Sequence, residues 1–307
     1  MFIENFHDLC RRAQQLGPKR VAVVMADDEV ALSALAHAVA MQIATPVLIG
    51  ETARIQEKLA HLAESAALTE AVFVAAPDAQ AAAETAVSLC RNGEADLLLK
   101  GHLRTDQLLH AVLHKQHGLR TGQLLSDLLL YEDTLLGKRR LVGVTDGGLN
   151  ILPTLEQKKA IIANAVLVMR TLGFRRPRIA LLSATEAVTE AVPSTVEART
   201  LTEIAATGEL GECEVFGPLA LDNALLESAA QAKGITSPVA GHADVMVVPN
   251  LEAGNILGKA VKYLGGSACA HVVVGAKVPV LIPSRVESTE DKLNSVALGV
   301  IVQSALK

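Results

Sequence analysis

The sequence predicts an α/β protein built as two doubly wound α/β domains with a cleft between them. Three observations carry that expectation. Short runs of Val, Ile, Leu and Ala alternate with longer stretches of helical periodicity. Half of the residues are hydrophobic, yet there is no Trp and there are only two Tyr and five Phe, so the core must be aliphatic. Buried parallel strands read as such aliphatic runs. The 307 residues also exceed one ordinary domain and suit two.

The elements follow in order. Arg20–Ala26 (RVAVVMA) has the pattern of a buried strand, and the apolar spacing from Asp28 to Gln42 is helical. Pro46–Gly50 is a second strand, followed by a helix over Glu51–Ser65. Ala71–Ala75 and Asp96–Lys100 give two more strands around a helix at Asp78–Arg91. Leu124–Glu132 and Arg139–Thr145 flank a Gly-containing turn and are expected to pair as an antiparallel hairpin. Asp146-Gly147-Gly148 leads through Pro153 into a helix over Leu155–Leu172. A second series of strands is expected at Arg178–Ser183, Asp244–Pro249, Ala270–Gly275 and Val280–Ser284, with a last helix at Thr289–Ala305. The expected domains are residues 1–123 with about 285–307, and residues 124–284.

Composition also narrows function. The net charge is −5 with both signs interspersed, and no basic stripe points to a nucleic-acid partner. No apolar stretch reaches the ~18 residues of a membrane span, so no membrane partner is expected. The N-terminal MFIENFHDLCRR has early acids and no secretory pattern, which reads as cytoplasmic. Cys10, Cys90, Cys213 and Cys269 lie far apart without a C-x-x-C pair. They read as small buried hydrophobes in a reducing compartment.

Five segments could carry chemistry. Lys100-Gly101-His102-Leu103-Arg104-Thr105-Asp106 ends a predicted strand, where open α/β sheets bind ligands. Lys100 and Arg104 are cationic, and the next helix offers N–H groups to an anion; a strand–helix loop with solvated charges is the plain alternative. Gly118-Leu119-Arg120-Thr121-Gly122 could contact a phosphate through Arg120 and Thr121, or could be a helix end and a turn. His110, His114 and His117 fall at i, i+4 and i+7 of one predicted helix. They bring no Cys and no H-E-x-x-H, so they read as a polar helix face, and no metal is expected. Pro249 to Lys259 opens a helix with small residues and Asn255, which suits close backbone approach to a ligand or a simple capped helix. Gly275-Ala276-Lys277-Val278-Pro279 precedes Ser284-Arg285-Val286-Glu287-Ser288-Thr289-Glu290-Asp291. There Ser284 and Arg285 could stabilise developing negative charge, and Asp291 could act as a base. Ser288-x-x-Asp291 is also close to a capping box, and on these residues alone the cap is the better reading.

Taken together, KGHLRTDQLLHAVL, GLRTG, DNALLESAAQAKGITSPVAGHADVMVVPNLEAGNILGK, GAKVP and SRVESTEDKLNS resemble the phosphate acetyltransferase/phosphate butyryltransferase family. The resemblance covers nearly the whole chain and leans to the butyryltransferase branch through GLRTG and the SR-x-E-S string. Val286 stands where the acetyl branch usually has Gly, and Glu287 where the butyryl branch often has Asp. The resemblance implies an isocitrate/isopropylmalate-dehydrogenase-like fold and a homodimer or higher homo-oligomer. It implies the reaction acyl-CoA + phosphate = acyl phosphate + CoA on a short acyl group, by direct attack in a ternary complex. Coenzyme A is then a substrate, with no permanently bound cofactor. On the SR-x5-D pattern it places catalytic roles on Ser284, Arg285 and Asp291, and that moves Asp291 from cap to base, although it can do both jobs. Substrate contacts are expected at Lys100, Arg104, Thr105, Arg120, Thr121, Asn255 and Lys277. The alternatives are a phosphate acetyltransferase that prefers acetyl-CoA, an NAD-dependent dehydrogenase of the same fold, and a non-catalytic coenzyme A-binding protein.

Overall fold

The structure is a computed structural model that describes residues 2–306 apart from Leu136, Lys138 and Arg285. Its chain order begins with helix α1 (Phe6–Leu16), strand β1 (Lys19–Val24), α2 (Glu29–Ala40), β2 (Ala44–Gly50) and α3 (Thr52–His61). A 3-10 turn leads to β3 (Val72–Ala75), α4 (Ala79–Arg91), β4 (Leu97–Lys100) and α5 (Thr105–Val112). The middle of the chain supplies β5 (Ser126–Asp133), β6 (Arg140–Thr145), α6 (Leu155–Thr171), β7 (Arg178–Leu182), α7 (Pro193–Ala206) and β8 (Glu214–Leu219). Then come α8 (Leu221–Leu225), α9 (Glu227–Ala232), β9 (Val245–Val247), α10 (Leu251–Lys259), β10 (Cys269–Val274), β11 (Val280–Leu281) and α11 (Thr289–Ala305).

The chain divides into two compact units. The first holds Phe6–Gln123 and the chain from Ala268 onward; the second holds Leu124–Ser267 and the residues up to Asn5. In the first unit the strands lie in the order β3-β2-β1-β4-β11-β10. β1 to β4 and β11 run parallel, while β10 and β11 meet antiparallel through Val273 and Val280. Val280–Leu281 hydrogen-bonds beside Leu98–Leu99, so the segment before Ser284 belongs with the first unit. The expectation that 268–284 belongs to the other domain is corrected, because a strand pattern does not say which sheet the strand joins. The second unit orders its strands β5-β6-β9-β7-β8. β5 and β6 form the expected antiparallel hairpin, and β6, β9, β7 and β8 are parallel.

The aliphatic runs are the buried strands. Val21 to Val24 and Leu97 to Leu99 are fully covered, as the parallel arrangement demands. Helix starts follow capping chemistry: Asp28, Asp78, Thr154, Asn250 and Ser288 each accept a backbone N–H two or three residues on. α11 is apolar or buried along most of its length and packs against α1, α2, β4, β10 and β11. Its Lys292 is 1% exposed and lies 3.3 Å from both carboxylate oxygens of Asp28, the cap of α2. Among the described residues, no helix is long and apolar enough to cross a membrane.

Candidate active site

The first loop of interest leaves β4 beside the end of β1. These two strands lie at the point where the strand order of the first unit reverses, the usual ligand crevice of an open α/β sheet. Met25 takes φ +56°, and a Cβ on Gly101 would collide with the Met25 carbonyl, so only glycine lets the two loops touch. Lys100 is turned inward at 5% exposure, with Nζ 3.4 Å from the Gly101 carbonyl and 3.5 Å from that of Leu103. Arg104, the residue before α5, is exposed and holds Asp106 by a two-pronged pair of 3.0 and 2.8 Å. The Arg104 hydrogen bonds keep the Asp106 carboxyl below its usual range. Thr105 opens α5. Asp27, its side chain 10% exposed, sits 3.5 Å from His102 Nδ1.

Two segments that the sequence treats separately are joined here. Arg120 forms an isolated antiparallel bridge with Ala276, and the Lys277 N–H donates to the Leu119 carbonyl at 2.9 Å. The Thr121 hydroxyl donates to the Gly275 carbonyl at 2.6 Å. GLRTG is therefore stitched to GAK by a single β-bridge and the Thr121 hydroxyl rather than forming a plain helix end. Arg120 and Lys277 both reach solvent from it.

The same chain continues through β11 to Ser284. The Ser284 N–H donates to the Glu287 carboxylate at 2.9 Å, and the Glu287 N–H returns to the Ser284 carbonyl at 3.2 Å. Arg285 lies outside the described residues. Glu287 is also 3.4 Å from His271 Nε2 on β10. Asp291 sits at the third position of α11 and is 1% exposed. Its Oδ1 accepts the Cys269 N–H at 2.9 Å; its Oδ2 accepts the Ser288 N–H at 3.2 Å and the Ser288 hydroxyl at 2.6 Å. Asp291 thus does the capping work that its spacing suggests and also ties α11 to β10.

Lys100, Arg104, Thr105, Arg120, Thr121, Lys277, Ser284 and Asp291 all belong to the first unit, whereas Asn255 belongs to the second. Asn255 is exposed on α10, 3.4 Å from the Gly147 carbonyl. The small residues beside it serve protein packing: a Cβ on Gly254 would lie 2.7 Å from the Gly147 Cα. Behind this contact is a group that sequence reasoning passed over. Asp146 accepts the N–H groups of Gly148 and Leu149, each at 2.9 Å, and the Asn150 amide at 2.5 Å. Burial, and then the neighbouring Asp127, raise its carboxyl pKa above the usual value. The Asp146-Gly147-Gly148 string was the available signal, since a short acid before two glycines can hold its own loop.

The histidine row is corrected. α5 ends at Val112, so only His110 is helical. His114 follows the C-cap and His117 lies in the next turn, their rings stacked 5.2 Å apart. Among the described residues no cluster of His, Cys, Asp and Glu could hold a metal. All four cysteines are buried and outside any disulfide; burial is the main cause that pushes Cys10 up to about 11 and Cys90 up to about 12.

Comparison with known proteins places this architecture. A family model described as Phosphate acetyl/butaryl transferase matches residues 74–300. The chain is 39% identical to a phosphate acetyltransferase of Rhizobium meliloti over 97% of its own length and 93% of the relative's. It is 36% identical to a phosphate butyryltransferase of Clostridium beijerinckii over 99% of both chains. A solved branched-chain phosphotransacylase from Enterococcus faecalis is 31% identical and superposes with a TM-score of 0.80 over 93% of this chain and 99% of that one. The fold and these likenesses define an α/β enzyme that moves an acyl group to or from phosphate. The chain belongs to the phosphate acetyl/butyryl transferase family.

Proposed function

We propose that the chain interconverts acyl-CoA and phosphate with acyl phosphate and coenzyme A, by direct attack in a ternary complex and with a butyryl-sized acyl group preferred. The observation that carries this reading is the bridge between GLRTG and GAK. It holds two solvent-reaching cations, Arg120 and Lys277, in fixed register on the unit that also bears Ser284 and Asp291. Fixed cations suit a substrate that carries several phosphates. Arg104 can exchange Asp106 for a substrate phosphate at small cost, because exposed ion pairs are worth ~0–1 kcal/mol. Thr105 offers its N–H at the start of α5 and Lys100 a positive charge behind the loop, while the Thr121 hydroxyl, donated to the Gly275 carbonyl, fixes the segment that carries Arg120.

In the thioester-forming direction Asp291 takes the thiol proton, and the thiolate attacks the acyl carbon. Arg285 neutralises the phosphate and the oxyanion, with Ser284 assisting. The buried cysteines, outside any disulfide, fit work in the reducing cytoplasm, and the active species is proposed to be a homo-oligomer, which light scattering checks.

The branch preference rests on GLRTG, on SR-x-E-S and on the likeness to a branched-chain phosphotransacylase. Each methylene in an apolar pocket is worth ~1–3 kcal/mol of discrimination. We expect kcat/KM to peak at butyryl-CoA across acetyl-, propionyl-, butyryl- and valeryl-CoA with phosphate, with coenzyme A release followed by a thiol reagent. A peak at acetyl-CoA would reverse the branch assignment, and no release from any of the four would remove the catalytic reading.

A further inference from the structure

We propose that Ser288 is the proton carrier between the coenzyme A thiol and Asp291. The inference rests on the reading of Asp291 as the base and extends it. Asp291 is 1% exposed, and both its oxygens are engaged by Cys269 and Ser288. A thiol on a bulky coenzyme does not reach such a carboxylate directly. Ser288, in contrast, is exposed and donates its hydroxyl to Asp291 Oδ2 at 2.6 Å, the short end of the range for O–H···O bonds. A hydroxyl has two lone pairs. One accepts the Asp291 N–H at 3.2 Å, which leaves the other for an incoming thiol proton.

The transfer balances. As the S–H bond breaks, its proton passes to Ser288 Oγ while the serine's own proton passes to Asp291 Oδ2. The sulfur electron pair forms the bond to the acyl carbon. When the bond from carbon to the phosphate oxygen breaks, Asp291 and Ser288 return a proton by the same route to the departing phosphate. Acyl phosphate and thiol thus yield thioester and hydrogen phosphate, with serine and aspartate restored.

Capping alone does not call for this hydroxyl, because Asn and Asp cap helices as well as Ser. That gives the test. Ser288→Asn keeps a capping acceptor but cannot carry a proton; Ser288→Thr keeps both functions. Thioester formation from butyryl phosphate and coenzyme A is measured in a single turnover, with the melting temperature of each variant. We expect Ser288→Asn to melt near the parent yet react ~10²-fold more slowly, and Ser288→Thr to restore most of the rate. A folded Ser288→Asn protein with the parent's rate overturns the relay, and so does a Ser288→Thr protein as slow as Ser288→Asn. Asp291→Asn is run beside them. If it is fast, the base assignment itself fails; if it is slow while Ser288→Asn is fast, only the relay fails.

Discussion

At the scale of single residues, Asp291 shows how one side chain serves two ends. Its Oδ1 bond to Cys269 and Oδ2 bonds to Ser288 fasten the first turn of α11 to β10. Asn in its place can still accept the Cys269 N–H, but its amide then faces the Ser288 N–H, donor against donor. Leaving that part-buried donor unpaired costs at most ~1–3 kcal/mol. We therefore expect Asp291→Asn to fold with a lowered urea midpoint and to lose at least ~10² in kcat, since an amide cannot take the thiol proton. A variant that loses stability and keeps full kcat would show a cap and nothing more. The spacing of Ser288 and Asp291 made the cap legible in the sequence. The burial of Asp291 was not, because it comes from Cys269, far away in the chain.

Among the elements, α11 determines the first unit. Its Lys292 reaches Asp28 across the helix pair, so a fully buried cation meets a carboxylate whose side chain is 15% exposed. Removing one member of such a pair leaves the other uncompensated and costs ~3–5 kcal/mol; Asp28 keeps the Ala31 N–H, which points to the low end. We expect Lys292→Met to lower the stability by about 3 kcal/mol in urea unfolding, and adding Asp28→Asn to recover most of it. The helices and strands from Arg20 to Lys100 could be read within a few residues, because buried aliphatic runs and Asp caps are local signals. β8 carried no such signal: its run EVFGPL contains Gly217 and Pro218. α1 was hidden in a segment read only for targeting. The pairing of Arg120 with Ala276 is a tertiary fact, and no spacing in the chain announces it.

For the molecule as a whole, every thiol is hidden: Cys10, Cys90, Cys213 and Cys269 are all buried, and burial pushes the first three up. The thiolate is the reacting form, so native protein should give no titre with a disulfide reagent during an assay, and all four thiols once urea is added. A titre in the native state would mean that one of these sites opens. The placement of α11 has a consequence for synthesis. The ribosome makes residues 6–123, then the whole of 124–267, and only afterwards the helix that covers α2 and β4. Until Lys292 is made, Asp28 lacks its ammonium partner, and α2 and β4 lack the helix that packs on them. The unit whose strands are made first is completed last, and the growing chain must keep its apolar faces from other chains throughout that delay.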